Sequence, residues 1–392
     1  MERVSLTGND AVGTAMAQIN PDVVAAFPIT PQTELMHKFA EFYADGKVNT
    51  ELILVESEHS AMSAVVGSAA AGARSMTATS ANGFALMWEI VYIAASLRLP
   101  IVMPVVNRAL SGPINIHCDH SDTMGGRDSG WVQLFSENTQ EVYDNVIMAV
   151  KIAEHKDILL PVMATFDGFI ISHTQEVIDL LSNEEVQKFI GKKEMYYPLL
   201  DVKNPVTYGP LDLQDYYFEH KRQQVEAMLK VPAVVEEVAK DYAKLTGRKY
   251  DFIEIYGPED AEISLVALGS TAGTAKDVVD KLNDEGKKVN LVKIRMFRPW
   301  PHETIVNALK GKKAIGIMDR SDSFGALGGP VFMEIRSSLM GEMKEDITAN
   351  YIYGLGGRDI SAPEIESVYN DLFEIAETGK VKNRKTYLGV RE

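Results

Sequence analysis

Glu56, Glu58 and His59 stand between two apolar segments of different character. Residues 52–55, LILV, have the composition of a short buried strand, and the segment after His59 is rich in small side chains that another backbone can approach closely. In open α/β sheets, ligands bind where strands lead into helices. Two interpretations are open. The acids stabilise the positive helix N-terminus, or one carboxylate is buried in a subunit interface and hydrogen-bonds a ring nitrogen of a cofactor.

A second strand-to-helix turn is the segment AAFPITPQTE, residues 25–34. Pro31 suits the first position of a helix, which predicts Thr30 as the N-cap and Glu34 in the first turn, a partial capping box. One interpretation is purely structural. In the other, the Thr30 hydroxyl and the helix N-terminus suit a small anion such as a carboxylate.

A third candidate is Arg108, because the apolar segment 101–106 ends directly in Asn107 and Arg108. An arginine at the carboxyl end of a strand is well placed to hold a carboxylate through two parallel hydrogen bonds. The alternative is an ordinary surface ion pair. Asn82 and Gly83 occupy a similar position after the strand-like segment 75–79, and the glycine permits a tight backbone turn.

The loop that follows Arg108 concentrates potential metal ligands: His117, Cys118, Asp119, His120 and Asp122. Their spacing matches no zinc pattern, and only one thiolate is available. We therefore predict polar packing around a Gly-Pro loop and no metal site in this chain.

Several nucleotide and nucleophile motifs are missing from the sequence. It has no GxGxxG after the first strand, no GxxxxGK[ST] and no GxSxG. It also has no GDG followed some thirty residues later by asparagine, the pattern that holds the magnesium and diphosphate of thiamine diphosphate. The fingerprints of nicotinamide-dependent, P-loop and serine-hydrolase chemistry are therefore lacking.

The composition narrows the class further. A net charge of −16 argues against nucleic-acid or anionic-membrane surfaces, which need clustered cations. A single cysteine excludes an intrachain disulfide framework and any cysteine-ligated iron–sulfur cluster held by this chain alone, and it fits a reducing compartment. No apolar run approaches the ~20 residues of a membrane span. We expect a soluble cytoplasmic protein.

Strand-like and helix-like segments alternate along the chain, which predicts an α/β fold with mostly parallel sheets. With 392 residues, two domains are expected. We place the first at residues 1–235, with an irregular arm at about 182–235, a linker at 236–254 and a smaller α/β domain at 255–392. The segment VNLVKIRMF, residues 289–297, is predicted as one strand of the second domain.

Several motifs, taken together and in order, resemble the α subunit of the multisubunit pyruvate:ferredoxin oxidoreductase family. They are FPITPQTE, ESEHSAMSAVVGSAAAGARSMTATSANGFALM and MPVVNRALSGPINIHCDHSD, followed by GPLDLQDYYFEHKRQQ and MFRPWP. The resemblance implies a pyrimidine-binding domain of the thiamine diphosphate fold and a second domain like the C-terminal domain of transketolases.

The resemblance also implies cofactors, partners and site residues. The cofactor thiamine diphosphate would be shared with a β subunit that carries its Mg²⁺ and a [4Fe-4S] cluster. A γ subunit and a ferredoxin-like δ subunit with further clusters would complete the enzyme, with CoA as co-substrate and ferredoxin as electron acceptor. Glu58 corresponds to the glutamate that hydrogen-bonds the aminopyrimidine N1′ and favours its imino tautomer. Thr30 and Arg108 correspond to residues at the substrate carboxylate, and Ile29, Asn82 and Gly83 line the cofactor.

Two alternatives remain. The chain is similar enough to serve a 2-oxoisovalerate or another 2-oxoacid:ferredoxin oxidoreductase, although FPITP and NRALSGPINIHCDHSD favour pyruvate. A non-catalytic scaffold that keeps the fold is the alternative of another class, and the joint presence of Thr30, Glu58 and Arg108 argues against it.

Overall fold

A computed structural model describes residues 1–343 and 346–391. The strands of its first part are β1 (Glu2–Thr7), β2 (Val23–Ala26), β3 (Glu51–Leu54), β4 (Ser75–Met76), β5 (Ile101–Asn107), β6 (Val132–Phe135), β7 (Val162–Asp167) and β8 (Gln175–Leu180). The helices are α1 (Gly8–Ile19), α2 (Thr33–Ala44), α3 (Glu58–Ala71), α4 (Ala81–Leu86), α5 (Trp88–Ser96), α6 (Ser121–Gly125), α7 (Thr139–Ala153), α8 (Asn183–Ile190) and α9 (Tyr217–Thr246).

The second part begins after α9. Its strands are β9 (Ile253–Tyr256), β10 (Ile263–Leu268), β11 (Val289–Ile294), β12 (Met296–Arg298), β13 (Ala314–Asp319), β14 (Thr348–Ile352) and β15 (Lys385–Tyr387). Its helices are α10 (Thr271–Asp284), α11 (His302–Leu309), α12 (Pro330–Leu339) and α13 (Ala362–Thr378). No helix within the described ranges is both long and apolar enough to span a membrane.

Within the described residues, most strands belong to one of two sheets, with seven and six strands. The seven-stranded sheet has the order β12-β6-β7-β5-β4-β2-β3, and only the β12–β6 pair is antiparallel. Its strand β5 is buried at every residue, as the apolar sequence of residues 101–106 predicts for a strand covered on both faces. The six-stranded sheet has the order β15-β14-β13-β10-β11-β9, with β9 antiparallel. The predicted α/β class with mostly parallel sheets is confirmed.

The two sheets are joined through Arg295. The prediction that residues 289–297 form one strand is wrong, because the chain leaves the six-stranded sheet after β11 and enters the seven-stranded sheet as β12. The Arg295 side chain between them is 2% exposed and donates from Nε and NH2 to Asn145 Oδ1 at 3.0 and 2.6 Å. The charged residue at the passage between the two sheets therefore lies in the interior.

Helix α9 runs through the point where the sequence predicts an arm to give way to a linker. Its buried residues include Val231, Val235 and Val238, which pack in the core of the first part, so the helix continues as far as Thr246. Within the predicted arm, the long segment without helix or strand is residues 191–216, between α8 and α9. The division of the chain into domains at 235 and 255 stays a prediction.

Candidate active site

Glu58 is the first residue of α3, directly after the loop that follows β3. Ser57 caps this helix, since its Oγ accepts a hydrogen bond from Ser60 N at 3.2 Å. Glu58 is only 5% exposed, and within residues 1–343 and 346–391 no hydrogen bond or ion pair engages its carboxylate. Burying a carboxylate without a partner is costly. The site therefore suits a ligand group that donates a hydrogen bond to Glu58.

Gly83 packs against Glu58 so closely that a side chain is excluded. A Cβ at residue 83 would lie 2.6 Å from both Glu58 Oε1 and Thr79 Oγ1. The Thr79 hydroxyl oxygen is itself buried, and the described part of the chain supplies no hydrogen-bond partner for it. The α4 backbone thus closes one side of the Glu58 carboxylate, and glycine is the residue that permits this.

The other two polar residues of the opening motif point elsewhere. Glu56 is exposed, and His59 Nε2 lies 3.9 Å from Glu89 Oε2, whose side chain is largely exposed. An exposed acid such as Glu56, placed just before α3, favours the positive helix N-terminus. Of the three, only Glu58 faces the interior.

Arg108 is buried, and the described part of the chain places no acidic side chain in an ion pair with it. Its side chain is held by backbone carbonyls: Nε donates to Asn115 O and NH1 to Thr30 O, each at 2.9 Å. Arg108 is 6% exposed, and burial lowers the pKa of its guanidinium. No ion pair forms with it among the described residues, so the surface ion-pair alternative is wrong. A buried guanidinium with NH2 free of such bonds suits an anionic ligand group.

Thr30 is exposed and does not cap a helix, contrary to the prediction. Helix α2 begins at Thr33 with Gln32 as its N-cap, because Gln32 N already bonds Ile29 O at 2.7 Å in a turn that precedes the helix. The buried Gln32 side chain also accepts from Ile29 N at 3.3 Å and donates to Ala78 O at 3.1 Å. Sequence reasoning missed Gln32, which holds the Ile29–Thr30 segment against the end of β4.

Asp122 connects the two halves of the site. Its Oδ2 accepts hydrogen bonds from Ala81 N at 3.1 Å and from Arg108 N at 3.0 Å, and its Oδ1 accepts from Asn107 Nδ2 and Thr123 N. Burial raises the pKa of Asp122 to about 6, although these hydrogen bonds oppose the rise. The sequence singled out Asp122 only as a potential metal ligand.

The remaining cofactor-lining candidate, Asn82, lies at the exposed edge. Its Oδ1 accepts from the backbone N and the hydroxyl of Ser111, both at 3.2 Å. A continuous series of contacts runs along this edge. Glu58 contacts Gly83 in α4, and the backbone N of Ala81, also in α4, donates to Asp122. The backbone N of Arg108 also donates to Asp122, and the Arg108 guanidinium donates to Thr30 O.

Cys118, His120 and Asp167 also meet in the interior, with potential ligand atoms within 4.8 Å of one another. Asp167 accepts from His120 Nε2 at 2.7 Å, from Arg320 NH1 at 3.0 Å and from Ser270 Oγ at 2.6 Å. Burial alone would raise the pKa of Asp167, but the charges and hydrogen bonds of these partners lower it. A guanidinium on the same carboxylate disfavours a cation there, and polar packing between the two parts of the chain accounts for the cluster.

Comparison with known proteins places this chain in a family. The family model described as pyruvate flavodoxin/ferredoxin oxidoreductase, thiamine diphosphate-binding, matches residues 14–240. The chain belongs to this family. A second model, pyruvate:ferredoxin oxidoreductase core domain II, matches residues 261–365. The family resemblance drawn from the motifs is thereby confirmed, as is the expectation of an oxidoreductase.

Individual relatives agree with this family. The chain is 58% identical to the pyruvate synthase subunit PorA of Thermotoga maritima, over 100% of this chain and 99% of that one. It is 41% identical to the ketoisovalerate oxidoreductase subunit VorA of Pyrococcus horikoshii, over 96% and 95% of the two chains. A solved 2-oxoglutarate:ferredoxin oxidoreductase of Magnetococcus marinus shares the fold, with a TM-score of 0.71 and 21% identity, over 95% of this chain and 65% of that one.

Proposed function

We propose that this chain is the α subunit of a multisubunit pyruvate:ferredoxin oxidoreductase. The complex would convert pyruvate and CoA reversibly to acetyl-CoA and CO₂, with the released electrons passed to ferredoxin. The observation that carries this proposal is the buried Glu58 carboxylate against Gly83, joined through Asp122 to the buried Arg108; among the described residues, Glu58 has no hydrogen-bond partner and Arg108 no acidic one. The 58% identity to a pyruvate synthase subunit supports it.

The residues around Glu58 fit the aminopyrimidine end of thiamine diphosphate. When bound, this cofactor supplies a nucleophilic carbon and an electron sink for decarboxylation. Glu58 would hold a proton at the ring N1′, and its burial without another partner leaves the carboxylate available for that bond. Ile29, Asn82 and Gly83 would line the ring, and Gly83 lets the α4 backbone lie against the Glu58 carboxylate.

Arg108 and Thr30 would orient the substrate carboxylate. Arg108 NH1 donates a hydrogen bond to the backbone O of Thr30, and Thr30 is exposed at the edge of the site. Because decarboxylation destroys the carboxylate, holding it very tightly in the ground state would slow the reaction. We therefore assign orientation, rather than maximal affinity, to this pair.

The proposal requires partner subunits. A [4Fe-4S] cluster takes four thiolates, and this chain has one cysteine, so clusters would reside on partners. We assign the diphosphate, Mg²⁺ and a cluster to a β subunit, with γ and ferredoxin-like δ subunits completing a cytoplasmic complex. The relatives' designation as subunits supports a multisubunit assembly.

Asp122 gives the proposed site a pH dependence. Each of its carboxylate oxygens accepts two hydrogen bonds, and a proton on Oδ2 displaces one of its donors, Arg108 N or Ala81 N. The ionised form predominates above pH 6, and its hold on Arg108 is lost as the pH falls through about 6. We expect kcat/KM for pyruvate to fall by about tenfold per pH unit below that value. A flat profile between pH 7 and 5, with the complex intact, contradicts this assignment, and D122N should lack the acid limb.

A branched-chain 2-oxoacid is the alternative substrate, since the chain is also 41% identical to a ketoisovalerate oxidoreductase subunit. The test is to isolate the chain anaerobically with its native partners and to measure CoA-dependent viologen reduction with pyruvate and 2-oxoisovalerate. Much higher kcat/KM with pyruvate supports the proposal, and the reverse order supports the alternative. Absence of reduction with any 2-oxoacid, from a complex that retains its clusters, overturns both and favours a scaffold.

A further inference from the structure

The loop that follows Arg108 is closed at its base and exposed along its length. Arg108 N donates to Asp122 Oδ2 at 3.0 Å, and Ala109 N donates to His117 O at 3.0 Å, which brings the two ends of the loop together. Residues 110–117 are exposed except for Asn115, which is half-buried. The apex of this loop therefore has no apolar core of its own to fix its position.

Asn115 makes contacts in two directions. Its backbone O accepts the hydrogen bond from Arg108 Nε at 2.9 Å, and its side-chain Nδ2 donates to Gly356 O, also at 2.9 Å. Its Oδ1 accepts from His117 N at 2.7 Å, which fixes the orientation of the amide. One residue thus links the proposed carboxylate-binding arginine to the part of the chain that follows β14, 241 residues away in sequence.

The turn that receives Asn115 is built from glycines. Gly354, Gly356 and Gly357 have φ values of 64°, 61° and 79°, which glycine adopts readily. A Cβ on Gly356 would lie 2.4 Å from Asn115 Nδ2, and one on Gly357 would lie 2.2 Å from His117 Cβ. Both the backbone conformation and the close approach of the loop call for glycine here. Gly356 N also donates to Asp119 Oδ2 at 3.1 Å, so the turn holds the loop at a second point.

We propose that Asn115, held by the Gly354–Gly357 turn, is a positioning residue for Arg108 in the 2-oxoacid site. The part of the chain that contains the six-stranded sheet would then contribute to substrate binding without touching the substrate. This inference rests on the proposed function, in which Arg108 orients the substrate carboxylate. It adds that the orientation of Arg108 depends on a hydrogen bond between Asn115 and the Gly354–Gly357 turn.

The test uses N115A in the complete complex, isolated anaerobically with its partners. The substitution keeps the backbone carbonyl that Arg108 binds and removes the amide that fixes its position. We expect KM for pyruvate to rise about tenfold, with kcat changed by less than about threefold, because carboxylate binding weakens while the Glu58 end is untouched. The rate of C2 proton exchange of bound thiamine diphosphate should be unchanged. N307A is the matched control, since Asn307 is an exposed asparagine in α11 whose side chain accepts a hydrogen bond from Lys310 Nζ, and it should alter neither quantity.

Coupling to Arg108 separates a positioning role from a merely structural one. In an R108A background, N115A should have almost no further effect on KM, whereas independent damage would add to it. G356A provides a second variant that displaces the same amide, and it should raise KM in the same way. If R108A raises KM and N115A does not, the positioning inference is overturned while the proposed function stands. If R108A leaves KM unchanged, the role of Arg108 is wrong, and the inference falls with it.

Discussion

Replacing Glu58 by glutamine is expected to lower the turnover of the assembled complex by about a thousandfold, in the range of losses seen when acid–base groups are removed. Glutamine fits the same space beside Gly83 and Thr79, so the fold should tolerate it. It cannot share a proton with a ring nitrogen as a carboxylate can. The loss should therefore appear in proton transfer at the cofactor and leave assembly intact.

The measurement is steady-state viologen reduction together with C2 proton exchange of the bound cofactor, followed by NMR. Both rates should fall in E58Q, while size-exclusion chromatography and cluster absorbance show an unchanged complex. E56Q is the matched control, because Glu56 is an exposed glutamate two residues earlier, and it should retain nearly full activity. If E58Q reduces viologen at the wild-type rate, then Glu58 has no proton-transfer role and the scaffold reading gains support.

The second large effect concerns stability rather than chemistry. Asp167, at the end of β7, receives His120, Arg320 and Ser270, and both the aspartate and the arginine side chains are only 1% exposed. D167A leaves the Arg320 guanidinium buried without its charge partner. Breaking a buried pair in this way is expected to cost about 3–5 kcal/mol of unfolding free energy.

Urea unfolding of the chain, followed by circular dichroism, checks this value. D346A is the matched control, because Asp346 also pairs with two arginines, Arg336 and Arg384, but at side-chain exposures of 37% and above. It should cost below about 1 kcal/mol. A loss of that small size in D167A would mean that Arg320 finds another partner or water, and that the cluster does not hold the two parts of the chain together.

Local sequence was sufficient to identify candidate site residues that come shortly after a strand. Glu58 and Arg108 could be identified because a short apolar segment, a polar residue and a helix or loop signal occur in immediate succession. The alternation of strand-like and helix-like segments was also sufficient to predict the α/β class. The family resemblance, rather than the residues alone, supplied the cofactor and the reaction, since carboxylates at strand ends serve many ligands.

The contacts that organise these residues could not be predicted, because they join distant segments. Asn115 meets Gly356, and Asp167 meets Arg320, and no local pattern encodes either pair. The prediction that Thr30 caps α2 failed for a related reason. Gln32 N bonds Ile29 O in a turn, and this turn delays the start of α2 to Thr33. Propensity places a cap within a residue or two, and long-range packing decides the rest.

Arg295 is the single residue between β11 and β12, which belong to different sheets, and this short passage limits where the chain could be cut into two fragments. A cut within residues 247–252, between α9 and β9, looks natural in the sequence, yet it would leave the N-terminal fragment without β12 and expose the hydrogen-bonding edge of β6. Open edges of this kind promote aggregation. A gene encoding the chain as two polypeptides would therefore need both products made together, since the second fragment must return its strand to the first.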